Sequence, residues 1–176
     1  MIEKTINRRI ALRNLLFIAG GTLVLPACFR GSGKASIDLK NLTVSADEEN
    51  LLAEVTETLI PATDTPGGKG LFLHLFVLKM VDDCHGPEDQ QAFTKGLSAF
   101  SGWSRRKLGT GFASADMAAR KRLLGGIAES SDEDIAQFFS ITKHRTTQGY
   151  LNSRYVMTNL VKYELVPGRY NGYAEV

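Results

Sequence analysis

"SADEENLLAEVTETLIPATDTPGG", residues 45–68, decides how this chain folds. Ser45 can accept a hydrogen bond from the amide three residues on, and Glu48 can return one, so the pair makes a capping box that opens a helix. Leu51, Leu52, Val55, Leu59 and Ile60 then recur at helical spacing, opposite Glu49, Glu54 and Glu57. Pro61 lacks an amide donor and stops the helix at or just before Ile60. "ATDTPGGKG", residues 62–70, is turn chemistry, with Asp, Pro and three glycines.

The same grammar continues downstream. "LFLHLFVLKMVDDC", residues 71–84, is long enough for a second helix and apolar nearly all round, which predicts a buried helix or one covered by another chain. Pro87 suits the first turn of a third helix over 87 to 108, with Glu88 and Asp89 at its positive end and Phe93, Leu97, Phe100 and Trp103 on one side. Ser114 is expected to open a fourth helix to Ser130, Ser131 a fifth to Gln148, and Asn152 a sixth to Lys162. The end, "VPGRYNGYAEV", reads as irregular. With strand signals nearly absent, residues 45–176 are expected to form a single all-α domain of about six helices with an irregular tail.

Upstream of Ser45 the chain reads differently. Leu15 to Leu25 is apolar but interrupted by Gly20 and Gly21, and at ~1.5 Å per residue it falls short of a ~30 Å bilayer core. Lys4, Arg8, Arg9 and Arg13 precede it, against Glu3 alone, so residues 1–27 read as an export signal. The Arg8-Arg9 pair ahead of a weakly hydrophobic core makes that signal twin-arginine-like. "LPAC", residues 25–28, resembles a bacterial lipobox, with Cys28 as the thiol that takes up the lipid. An ordinary signal cleaved near Ala27, leaving Cys28 as a free thiol, is the alternative. Acylation at Cys28 would make the chain a membrane-anchored lipoprotein facing the periplasm, with residues 28–44 as a tether.

Composition excludes several classes. Lysine and arginine number 21 and the acids 19, and without residues 1–27 the chain keeps 17 basic and 18 acidic residues. That balance favours no nucleic acid, and the runs Arg105-Arg106-Lys107 and Arg120-Lys121-Arg122 read as solvated helix faces. Beyond Cys28, Cys84 is the other cysteine, so an internal disulfide needs Cys28 unmodified.

The residues give no catalytic or cofactor-binding set. His74, His85 and His144 are scattered, with no second ligand at metal-binding spacing. "GGKG" at 67–70 lacks the preceding strand and the Lys-Ser/Thr of a phosphate loop. No nucleophile elbow is present, and Asp82-Asp83 reads as the end of a solvated helix face. All five tyrosines, in contrast, lie late: Tyr150, Tyr155, Tyr163, Tyr170 and Tyr173. Tyrosine joins a large contact area to a polar tip and is enriched where proteins meet. Tyr170 and Tyr173, in a glycine-rich tail, are therefore expected to contact a partner.

Three segments, "LLAEVTETLIPATDTPGG" at 51–68, "HLFVLKMVDDC" at 74–84 and "YVMTNLVKYELVPGRYNGY" at 155–173, resemble the small-subunit family of gluconate 2-dehydrogenase, subunit 3. The resemblance implies an exported, helical, cofactor-free accessory subunit. Its partner would be a large flavoprotein of the glucose–methanol–choline type, which oxidises a sugar or sugar acid with FAD and passes electrons to a cytochrome c or the quinone pool. It also implies that this chain's signal carries the folded partner across the membrane. Asp64, Thr65, Pro66 and Gly67, with Gly168, Arg169, Tyr170 and Tyr173, are then the candidate contact residues. Family tails carry a cysteine where Tyr173 stands, so any covalent role of that cysteine is absent here. From the residues themselves two further readings stay open. One is a free-standing helical lipoprotein that binds a small apolar ligand through its second helix; the other is a metal or haem site, should the three histidines converge.

Overall fold

Local signals set the helix boundaries of the computed structural model, which describes residues 33–127, 132–161, 163, 164, 166 and 168. Helix α1, Ala46–Leu59, opens on the capping box: Ser45 Oγ accepts from the Glu48 amide at 3.3 Å, and the Glu48 carboxylate accepts from the Ser45 amide at 2.9 Å. It ends at Ile60, as Pro61 requires. Helix α2, Leu73–Cys84, has no side-chain cap; Phe72 stands at that position in the left-handed conformation, φ 53°. Helix α3, Pro87–Leu108, starts with Pro87 at its first turn, and Gly109, at φ 71°, closes it in the left-handed geometry that glycine adopts without penalty.

The later helices differ from their expected limits. Ser114 ends a short 3-10 turn, Phe112–Ser114, and Asp116 caps α4 instead, accepting from the Ala119 amide. Helix α4, Met117–Gly125, stops at the Gly125-Gly126 pair rather than at Ser130. Helix α5, Glu133–Leu151, is capped by Asp132. Where a sixth α-helix was expected, Val156–Leu160 is a π-helical segment, reached through a turn at Asn152 and Ser153. Among the described residues there is no strand, only one antiparallel bridge between Lys34 and Ser45. The described part is a single all-α domain.

The core is built on α3 and α5. Phe93 and Phe100 of α3 both meet Phe138 of α5, with ring centroids 5.4 and 5.6 Å apart, and Phe112 packs edge-on to Phe100 at 5.3 Å. These tilted and edge contacts suit the ring quadrupoles and add to the burial of large apolar area. Gly96 lets the two helices touch: a Cβ there would stand 2.5 Å from the Phe138 Cβ and closer still to the Asp134 carbonyl oxygen. Leu52 and Val55 of α1, with Val77, Leu78 and Val81 of α2, complete the buried set.

The chain divides into Met1–Gly33 and Lys34–Val176. Residues 34–44, expected as the end of a tether, belong to the second unit and pack against its helices. Leu42 and Val44 are buried, and the Ala35 amide donates to Val44 at 3.0 Å. Ser36 bonds the Glu49 carboxylate through both its amide and its hydroxyl. Asp82 supplies the main hold. Instead of ending a solvated face it is 1% exposed, and its carboxylate accepts from the amides of Lys40, Asn41 and Leu42 at 2.9, 2.7 and 2.9 Å. Burial pushes its pKa up, but those three amides and the Lys79 ammonium outweigh burial and hold it below the ordinary value.

Candidate docking site

The loop after α1 is organised by one carboxylate. Glu57 accepts from the amides of Ala62 at 3.0 Å and Lys69 at 2.8 Å, so it folds residues 60–70 back over the end of its own helix. The Gly68 amide donates to Ile60 at 2.8 Å, and its carbonyl accepts from Leu73 at 2.9 Å, which leads the loop into α2. Gly67 and Gly68 are buried; a Cβ on Gly67 would stand 2.5 Å from the Ala62 nitrogen. Of the contact candidates in this loop, Gly67 therefore serves the turn itself, Thr65 and Pro66 are half-buried, and Asp64 is exposed. Beside Asp64, the Thr63 hydroxyl donates to its carboxylate at 2.9 Å.

The loop delivers the chain to Phe72, which is 63% exposed despite being a large aromatic side chain. Its left-handed backbone is uncommon for a residue with a Cβ and costs roughly 1–2 kcal/mol. One turn further along α2, the Phe76 ring covers Gly149 of α5, where a Cβ would lie 2.7 Å from Cδ1. Phe72 thus lies at the end of the helix pair where α5 finishes. The rest of α2 is better covered by its own chain than its all-round apolarity suggests. Leu73, Val77, Leu78 and Val81 are buried, and Leu75 and Phe76 half-buried.

From the last residue of α5 onward, apolar residues turn outward. Leu151, Leu160, Val161, Tyr163 and Val166 are all exposed, Val166 to 82%. Val156 is buried and anchors the π-helical segment, whose end is fixed by the Val161 amide on Val156 at 2.9 Å and the Tyr163 amide on Met157 at 2.8 Å. Gly168 is exposed, and a Cβ there would meet nothing within 4 Å. Arg169, Tyr170 and Tyr173 lie outside the described residues, as do Arg8, Arg9 and Cys28. The exposed set was legible in part: Tyr163 is one of the late tyrosines and Phe72 lies in the over-apolar 71–84 segment, whereas Leu160, Val161 and Val166 carried no expectation of exposure. Their one sequence signal is an apolar run after the last helix that matches no core stripe.

Charged groups fix the opposite flank of α1. Arg120 of α4, itself buried, donates to Glu54 at 2.5 Å and to the Ala113 carbonyl at 2.5 Å, with its guanidinium 5.5 Å from the Phe112 ring centre. Lys69 reaches Glu54 at 2.7 Å. Burial pushes the Glu54 carboxyl up, yet the bonds from Lys69 and Arg120 outweigh it and leave its pKa lowered.

The histidines occupy separate surroundings. His85 Nε2 receives Arg145 at 3.0 Å while its Nδ1 faces Asp89 at 3.3 Å. His74 stands 4.0 Å from Glu49; burial lowers its pKa, with Glu49 opposing in part. His144 is exposed. Among the described residues no group of three His, Cys, Asp or Glu side chains is placed to hold a metal ion, and no helix is long and apolar enough to cross a membrane. No curated protein and no solved structure matches the chain. One family model does, over residues 46–168, from the first residue of α1 to the exposed glycine: gluconate 2-dehydrogenase subunit 3.

Proposed function

This chain belongs to the gluconate 2-dehydrogenase subunit 3 family, and from that premise we propose that it is the non-catalytic small subunit of a periplasmic, membrane-tethered, FAD-dependent sugar or sugar-acid dehydrogenase. Its work is to export, stabilise and dock the flavoprotein large subunit, of the glucose–methanol–choline type, which holds the FAD and hands electrons to a cytochrome c or the quinone pool. The observation that carries the docking role is the outward turn of Leu151, Leu160, Val161, Tyr163 and Val166 together with Phe72. Scattered exposed apolar side chains are ordinary, but five of them within residues 151–166, from the end of α5 onward, have the composition of an interface core.

Export follows from the amino terminus. A flavoprotein that folds around its cofactor before transport needs a route for folded chains, and the Arg8-Arg9 pair fits that route with one signal serving two polypeptides. Cys28, once acylated, would keep the complex at the membrane, close to its electron acceptor.

The test is a pull-down from native membranes with a carboxyl-terminal tag, reading flavin absorbance and partner mass. The parent chain should bring down one yellow partner of flavoprotein size in fixed ratio. A chain carrying Leu160→Ser, Val161→Ser and Val166→Ser should emerge without it. Equal recovery of the flavoprotein by both chains would remove this surface from the reading, and a colourless parent chain, with the tag also tried elsewhere, would remove the reading itself.

A further inference from the structure

Helix α4 ends early at Gly125-Gly126, and where a Cβ on Gly125 would stand there is open space. The last turn of α1, the end of α4 and the first half of α5 consequently leave between them an open groove of about 550 Å³. Leu59, Leu124, Ile127 and Phe139 make its apolar walls, with Lys121 and Lys143 also lining it. Both lysines are exposed, and neither ammonium has a partner among the described residues. Among the described residues, no carboxylate lines the groove. Lys69 and Arg120 pair with Glu54, Lys95 with Asp134 and Lys79 with Asp83, whereas Lys121 and Lys143, like Arg105, Arg106, Lys107 and Arg122 on other faces, make no ion pair with a carboxylate among the described residues.

We propose that this groove binds a single-chain anionic amphiphile, a fatty-acid-type carboxylate, with its alkyl chain on the Leu59, Leu124, Ile127 and Phe139 walls and its head on Lys121 and Lys143. Two uncompensated cations beside an apolar trough are complementary to one negative head on one apolar body. Size favours a small molecule over a helix of a partner protein. The volume falls within the ~300–1,000 Å³ of small-molecule sites, whereas a helix about 10 Å across fills roughly 400 Å³ per 5.4 Å turn, so little more than one turn would fit. The site is distinct from the apolar surface beyond α5 and does not depend on the subunit reading.

The experiment titrates the full chain with octanoate, decanoate and dodecanoate below their micelle concentrations, by calorimetry. Saturable one-to-one binding is expected, tightening about fourfold for each methylene buried, with methyl dodecanoate much weaker than dodecanoate. Replacing both cations, Lys121→Gln with Lys143→Gln, should weaken dodecanoate about tenfold. Ser140→Trp, at an exposed position on the groove wall, should abolish binding while leaving the urea midpoint unchanged. Absence of saturable binding, equal binding by the ester, or full binding by S140W would each overturn the proposal. So would association that needs phosphatidylglycerol vesicles, or loss of a protein partner from S140W in a chain that takes no dodecanoate.

Discussion

Replacing Asp82 by alanine removes a carboxylate that holds three backbone amides from residues 40–42. Leu42 is buried, so its amide loses its acceptor with no water to replace it, while Lys40 and Asn41 are exposed and can be resolvated. One stranded donor and two weakened charge-assisted bonds together amount to about 2–4 kcal/mol. For a chain of this size that is a fall of roughly 6–12 °C in Tm. Asp82→Asn should cost about half as much: one carbonyl oxygen can still serve Asn41 and Leu42, which share Oδ1, but its amide group would face the Lys40 donor. The carboxyl's folded pKa lies below its ordinary value of 3.8, so its stabilisation is present above that value and lost as pH falls through the folded pKa. Urea unfolding should therefore separate parent from Asp82→Ala fully at pH 7, with the gap closing below pH about 4. Hydrogen exchange supplies the local readout, since the Leu42 amide should lose more protection than amides of the α3 and α5 core. Matching urea midpoints at pH 7, or a gap that widens on acidification, would refute the reasoning.

Arg120→Met should destabilise by about 2–4 kcal/mol in urea unfolding, because it leaves Glu54 half-desolvated with Lys69 alone; a neutral outcome would mean that water reaches Glu54 freely. Gly96→Ala drives a methyl into the Asp134 carbonyl and Phe138, and should cost at least the ~3 kcal/mol at the top of the overpacking range, visible as a drop in Tm. Gly149→Ala meets only the edge of the Phe76 ring, which can turn, and should cost about 1 kcal/mol. Phe72→Gly relieves a left-handed residue and should raise stability by up to about 1 kcal/mol while weakening recovery of the flavoprotein; a gain in both would take Phe72 off the interface. Leu160→Ser with Val161→Ser should change the free energy of urea unfolding by less than about 0.5 kcal/mol, as both side chains face solvent.

What the sequence made legible is what local chemistry decides. The Ser45–Glu48 box, Pro61, Pro87 and Gly109 act within one turn of themselves, and each fixes a helix end where the spacing of residue types requires it. The limits of α4 drifted because Ser114 and Asp116 both offer an oxygen to the same short stretch, and the neighbouring Phe112, drawn into the Phe100 cluster, decides between them. Asp82 was hidden for a different reason. Its partners are backbone amides forty residues away, and an amide carries no residue type for a pattern to register. The candidate docking surface sits between these cases: the loop at Asp64 to Gly67 is visible as a motif, but Glu57 holds it inward, so the motif reports mostly on its own turn. Phe72, five residues past Gly67, faces outward, and its exposure follows from where the loop ends rather than from any spacing of its own. A motif that carries a family resemblance therefore need not be the contact itself. Here the "TDTPGG" turn leads to Phe72, four residues beyond it, which is why Phe72→Gly tests the surface more directly than any change at Pro66 or Gly67.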